Sequence, residues 1–224
     1  MKTNNIESRN SVSVNYCSLL RPSLLSSVFF MVVCGLAYPL ATTGVASILM
    51  PSQANGSLMQ KNGGNIGSKY IGQLFTAPRY FHGRPSMTVG ADPKDPGNTI
   101  DQPYNAAASA ASNQGALSKK LLDAVAARTQ QYRRENALGD DVLIPVDAVT
   151  ASASGLDPHI SVANARLQTK RVAQVRGITE QKVRTLIEQN TESRQFGILG
   201  EPRVNVLGLN IALDDLSKVH HVAQ

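Results

Sequence analysis

The sequence predicts a small α/β (α+β) domain carried behind one N-terminal transmembrane helix, with a short sheet and about three helices. Three observations predict it. No charged side chain occurs from Pro22 to Gln60, a gap that a water-exposed domain does not sustain. Apolar residues recur at helical spacing in three later stretches. A last apolar run near the C-terminus alternates as a strand does. At 224 residues the chain has room for an anchor and one domain. The organisation read from this is a cytoplasmic tail over residues 1–23, a transmembrane helix over 24–50 and an extracytoplasmic domain over 51–224.

The anchor comes first. Leu24 to Met50 is 27 residues without a charge; as a helix it reaches roughly 40 Å, more than the ~30 Å hydrocarbon core. Pro39 lies inside it and predicts a kink of the kind that packs on partner helices. The rival reading is a cleaved signal peptide ending near Gly44-Val45-Ala46, but the run is longer than such a core and holds Pro39 deep within it. Lys2, Arg9 and Arg21 precede the run, whereas Lys61 and Lys69 come only well after it. That bias puts the N-terminus in the cytoplasm and the main domain outside.

Residues 51–116 are rich in Gly, Asn, Ser and Pro, which predicts loops and turns, with Thr88 to Pro103 the least ordered piece. From Ser118, Leu121, Leu122, Val125, Ala126, Thr129 and Tyr132 fall at helical spacing, predicting an amphipathic helix that ends near Leu138-Gly139. Asp141 to Thr150 reads as a short strand in which Pro145 marks an edge or a bulge. Ser161 is the expected cap of a helix running to Arg176 and stopped by Gly177. Thr179 is the expected cap of another, with Val183, Leu186 and Ile187 on one face. Arg203 to Leu213 is apolar on both faces, which predicts the central strand.

Charge and composition exclude several function classes. The formal net charge is +6, but Lys2, Arg9, Arg21 and Glu7 precede the apolar run, leaving 19 basic against 15 acidic side chains after it. No basic stretch is interleaved with aromatics, so the footprint of nucleic-acid binding is missing. Both cysteines, Cys17 and Cys34, lie in the tail and the apolar run, which excludes a disulfide framework, a Cys-based zinc site or a thiol nucleophile in the outer domain. His82, His159, His220 and His221 show no metal-ligand spacing beyond the last pair, so no metal is expected. No Walker loop is present.

Three constellations remain. Asp157, Pro158 and His159 stand between Ser154 and Ser161, the residue types of a membrane-anchored hydrolase. No G-x-S-x-G elbow accompanies them, and such close neighbours rarely form a triad, so a turn at a helix start is the better reading. Tyr80, His82 and Arg84 lie in a Gly/Pro turn suited to holding an anion or meeting a partner. Glu201, Arg203 and Asn205 open the last strand, with Glu201 and Arg203 expected to pair on the surface. These eight residues are the candidate partner interface, because loops on a rigid scaffold carry contacts. No catalytic residue is expected.

Together these stretches resemble the C subunit of the Kdp potassium-transporting ATPase. The resemblance rests on Tyr38-Pro39-Leu40, Ala54 to Leu58, Ile71-Gly72-Gln73, Tyr80 to Ser86, Tyr104 to Ser109, Pro145 to Ser152, Ser154 to Ser161 and Gly200 to Asp214, all in order. Departures are a longer Thr88–Pro103 loop, Ala110-Ala111 in place of glycines, and Gly208 where a glutamate is common. The resemblance implies an accessory, non-catalytic subunit of a bacterial inner-membrane potassium importer. Its partners would be a channel-like potassium-selecting subunit and an ATP-hydrolysing P-type subunit. It implies a role in assembly and in raising the apparent ATP affinity of the latter, as a catalytic chaperone. No cofactor is expected to bind tightly, and ATP enters only through the pump complex, its contact residues unassigned. A domain outside the cytoplasm faces no ATP, so its effect on ATP would be a coupling between distant sites.

Overall fold

A computed structural model of the chain describes residues 16–61, 63–95 and 97–222. Most of the expected cytoplasmic tail, Lys2 and Arg9 included, and the side chains of His220 and His221 lie outside the described residues. The chain divides into two compact units, one ending at Gly56 and one beginning at Ser57.

The first unit is one long helix with an irregular middle. Helix α1 (Tyr16–Val32) runs into a π-helical turn, Val33–Ala37, and continues as α2 (Tyr38–Leu49). A single turn, α3 (Pro51–Ala54), follows. From Ser18 to Leu49 the helix is long and apolar enough to cross a membrane, and none of its described side chains is buried. Pro39 explains the wide turn. In a regular helix its ring would press on the carbonyl of Gly35. Instead the N–H of Tyr38 donates five residues back, to Val33 O, and the turn opens ahead of the proline. The Thr42 hydroxyl donates to Tyr38 O at 2.9 Å and Pro39 O at 3.0 Å.

The second unit opens with an antiparallel hairpin, β1 (Leu58–Lys61) and β2 (Gly64–Ser68). An irregular strap follows and leads to a second hairpin, β3 (Val89–Ala91) and β4 (Thr99–Asp101). The piece expected to be least ordered is therefore a hairpin. Asp92 and Asp95 accept hydrogen bonds from the backbone N–H groups of Lys94 and Gly97, so short polar side chains organise the turn that proline and glycine only mark.

Helix α4 (Lys119–Asn136) ends with Ala137 in the left-handed region, φ 50°, one residue short of the expected stop. Tyr132 is buried but Leu122 and Ala126 are exposed, so the packed face is rotated from the one the apolar pattern gives. The expected strand over Asp141–Thr150 is not a strand: Val146–Val149 is a helical turn, α5. Pro145, at φ −58°, is set for a helix start, and the Thr150 hydroxyl donates back to Val146 O.

Strand β5 (His159–Ser161) leads into α6 (Val162–Arg176), capped by Ser161 and closed by Gly177 at φ 65°. Helix α7 (Glu180–Gln189) starts at Thr179, whose hydroxyl accepts from Lys182 N. Both caps are where the sequence places them. Strands β6 (Thr191–Glu192) and β7 (Arg203–Asn205) complete a three-stranded antiparallel sheet in the order β5-β7-β6. The last apolar run does begin as the central strand, but only for three residues. Asn205 Oδ1 accepts the N–H of Gly208 at 2.9 Å, and the chain turns into α8 (Val206–Val222). Val206, Leu209 and Leu213 are buried at helical spacing, a period that a short run with apolar residues on every side conceals.

The core joins Ile160 and Val204 of the sheet to Ala165 and Val172 of α6, Val183 and Ile187 of α7, and Leu209 and Leu213 of α8. Phe81 of the strap is fully buried among them.

Candidate partner interface

The strap carrying Tyr80, His82 and Arg84 has no strand neighbour at this point; side chains of α6 and α8 take that role. Asn210 Oδ1 accepts the N–H of Phe81, and its amide donates to Phe81 O. Gln168 does the same for His82: its Oε1 accepts the His82 N–H at 2.8 Å and its Nε2 donates to His82 O at 3.1 Å. Arg171, buried, donates to Pro78 O, Tyr80 O, Gln168 Oε1 and Asn136 Oδ1. Burial pushes its guanidinium pKa down, opposed by Glu135 and Tyr132. The network continues through Asn164, which accepts from the Tyr132 hydroxyl at 2.7 Å and donates to Asp147 Oδ2 at 2.9 Å. Burial, then the Asp147 charge, raises the Tyr132 hydroxyl far above its usual pKa. None of Gln168, Arg171, Asn164, Asn210 and Asp147 is among the eight expected interface residues. Asp147 and Asn210 fall within stretches that carry the family resemblance, but the pairing of all five is hidden because polar residues on the inward face of helices are passed over by a hydrophobic pattern.

Of the eight expected interface residues, five converge. Arg84, Asp157, His159, Glu201 and Arg203 line one cleft of about 300 Å³. Arg84 donates to Asp157 Oδ2 at 3.1 Å and to Ala151 O at 3.3 Å, while its buried Nε has no partner. Asp157 Oδ1 accepts the backbone N–H of His159 at 3.0 Å and lies 3.4 Å from His159 Nδ1. Burial works to raise the Asp157 pKa, but the bonds from His159 and the Arg84 charge outweigh it and hold the carboxyl below its ordinary value. Beside the lining residues His159 and Arg203, Glu192 meets Lys69 and Arg203, each at 3.0 Å, and His159 Nε2 at 3.8 Å. There too partial burial is outweighed, by Lys69 first, and the pKa is lowered. The expected Glu201–Arg203 pair does not form. Glu201 pairs with Arg194 at 2.6 Å, because the β6–β7 loop brings Arg194 across from it.

The other three stand elsewhere. His82 lines a second cleft of about 400 Å³ with Tyr104, Arg128 and Glu135, and Arg84 borders both. Tyr80 lies between the guanidinium groups of Arg79 and Arg176, 5.3 and 5.0 Å from its ring centre, and its hydroxyl donates to Asp214 at 3.1 Å. Asn205 is buried, capping α8 and donating to Lys69 O.

The hydrolase residues are committed to structure. Ser161 donates to Asp147 Oδ1 and accepts from Asn164 N, while Ser154 Oγ accepts from Leu156 N. His159 has Asp157 and Glu192 beside it rather than a serine. Among the described residues, no three His, Cys, Asp or Glu side chains gather as a metal site.

Beyond the cleft, the ten residues between β6 and β7 fold into a tight turn. Gln195 and Leu199 exchange two backbone bonds of 2.9 Å, and the Arg194–Glu201 pair closes the base. Phe196, Ile198 and Leu199 stand on it at 91%, 75% and 54% exposure, with Phe196 at φ +52°.

A family model described as "KdpC: K+-transporting ATPase, c chain" matches residues 20–215. The chain belongs to the KdpC family. Relatives named "Potassium-transporting ATPase KdpC subunit" agree with this. One from Rhodopseudomonas palustris (strain BisB5) is 53% identical over 195 residues, 87% of this chain and 96% of that relative. Another, from Mycobacterium tuberculosis (strain ATCC 25177 / H37Ra), is 51% identical over 197 residues, 88% of this chain and 98% of its own length. One from Methylobacterium nodulans is 48% identical over 198 residues. The KdpC match takes in the apolar helix from its second turn, both clefts and the exposed β6–β7 turn together.

Proposed function

We propose that this KdpC chain is a non-catalytic accessory subunit of a bacterial inner-membrane potassium importer and works by docking. Its outer domain meets the channel-like, potassium-selecting subunit on the potassium-entry side. It raises the ATP affinity of the P-type subunit through a coupling free energy rather than by touching ATP. The cytoplasmic placement of the N-terminus rests on the flanking charges, Arg21 among them. The observation that carries the docking reading is the β6–β7 turn. Three apolar side chains are held in water on a braced turn, and a bulky residue is kept in the left-handed region, where only a wider constraint holds it. Pre-organised aromatic and aliphatic anchors of this kind dominate binding energy at interfaces. Arg194 at its base is already neutralised by Glu201, which favours an apolar protein socket over anionic lipid head groups.

The test is a tagged pull-down from detergent-solubilised membranes of potassium-starved cells, with the eluate assayed for potassium-stimulated ATPase. Two larger membrane chains and ATPase activity are expected with the natural chain, and loss of both with Phe196→Ser plus Ile198→Ser. A lone chain without ATPase would sink the accessory reading. Full recovery with the double variant would move docking away from this turn.

A further inference from the structure

The π-helical turn leaves the Cys34 carbonyl without either donor a helix can offer it. The N–H at i+4 belongs to Tyr38 and goes to Val33 O. The residue at i+5 is Pro39, which has no N–H. No Ser or Thr stands from Val28 to Ala41, so no hydroxyl of either type lies within a helical turn and a half of the carbonyl.

Cys34 also sits at the middle of the 32-residue span from Ser18 to Leu49. Hydrocarbon there supplies no donor and water is scarce, so an unpaired carbonyl is strongly unfavourable unless protein satisfies it. A charged donor at that depth would add its own cost, which leaves a neutral hydroxyl or carboxamide. The next residue, Gly35, has open space where a Cβ would stand, so a second helix can approach the backbone closely beside the carbonyl.

We infer that the Cys34 carbonyl accepts a hydrogen bond from a Ser, Thr, Asn or Gln side chain on a transmembrane helix of another subunit. This rests on the accessory-subunit reading and names the chemistry of one of its contacts. The wide turn forced by Pro39 is then a recognition feature: it turns one backbone oxygen outward at a depth where only a matched helix can meet it.

Isotope-edited infrared spectroscopy tests this directly. The full chain, carrying Cys17→Ser and a carbonyl-labelled cysteine, is measured in lipid bilayers alone and then in the co-expressed complex. The labelled amide I band is expected at the high wavenumber of an unbonded carbonyl in the lone chain, with a downshift in the complex. Pro39→Leu, which restores the N–H, is expected to place the band low in both samples and to reduce recovery of the partner chains several-fold. A low band in the lone natural chain would overturn the inference, since water or its own side chains would already serve. So would an unshifted band in an intact complex, or undiminished recovery with Pro39→Leu. Failure of any complex to form with the natural chain would overturn the accessory reading, and this inference with it.

Discussion

Asn210 and Phe81 are paired as two strands would be, although they lie 129 residues apart and one of them is on a helix: Phe81 N–H donates to Asn210 Oδ1 at 2.9 Å, and Asn210 Nδ2 donates to Phe81 O at 3.0 Å. Together with Gln168 on His82, this fixes the strap by main-chain bonds and leaves its side chains available to line a cleft. Asn210→Leu keeps the volume and strands both groups of a buried residue. At ~1–3 kcal/mol for each of the two unsatisfied groups, it is expected to cost about 2–6 kcal/mol, read as a lower urea midpoint for the full chain in detergent. A midpoint within experimental error of the natural chain would show that the strap is held without it.

Acid is expected to begin weakening the fold through His82, above the range in which Asp157 and Glu192 act. Burial, followed by the Arg171 charge, lowers the His82 pKa below 6.5, while Ala77 O and Glu135 oppose the shift. Between that lowered value and 6.5 the unfolded chain binds more protons than the folded one. Stability therefore rises with pH across this window and is flat above it. Asp157 acts in the same sense, but below 3.8. Denaturant midpoints from pH 5 to pH 7.5 should slope for the natural chain and lose most of that slope in His82→Asn.

Phe196 separates stability from docking. Its left-handed backbone, φ +52°, carries a strain of roughly 1–2 kcal/mol that glycine escapes, less the entropy glycine adds to the unfolded chain. Phe196→Gly should therefore leave the chain as stable or up to ~1 kcal/mol more so in thermal melts, while recovering fewer partner chains. A variant that is both less stable and fully assembled would contradict this.

Gly155 is where the strap, the Asp157 turn and the coil after β4 press together. At φ +68° a Cβ would lie 2.6 Å from Thr88 Cγ2 and 2.8 Å from Ala110 O. The conformation costs about 1–2 kcal/mol for any other residue and overpacking about 1–3 more. Gly155→Ala is expected to lower the melting temperature clearly, with protease cutting first in the second hairpin as that region loosens.

What the sequence discloses follows from what each signal measures. Ser161, Thr179 and Gly177 are read correctly because caps depend on one residue's side chain or φ, both local properties. The ends of β7 and α5 are misread because Val204 to Leu213 has apolar residues on both faces of a strand as well as at helical spacing, and Pro145 serves either an edge strand or a helix start. The charged candidates are found as residue types, yet their pairing is not. Glu201 lies two residues from Arg203 but bonds Arg194, and the acid that does meet Arg203 is Glu192, eleven residues away. The role of the polar spine of α6 is not legible, since Asn164, Gln168 and Arg171 are what a solvent-facing stripe looks like until the strap is laid over it.

The 129-residue separation of Phe81 and Asn210 also sets a timetable. At ~5–20 residues per second, a ribosome that has just added Phe81 needs about 6–26 s more to reach Asn210. Through that interval Phe81 lacks the Asn210 carboxamide that pairs its backbone and the α8 side chains that complete its burial, even once Gln168 and Arg171 of α6 are in place. Every nascent chain therefore passes through a waiting period with Phe81 not yet enclosed, and a stop codon anywhere before Asn210 would make that period permanent.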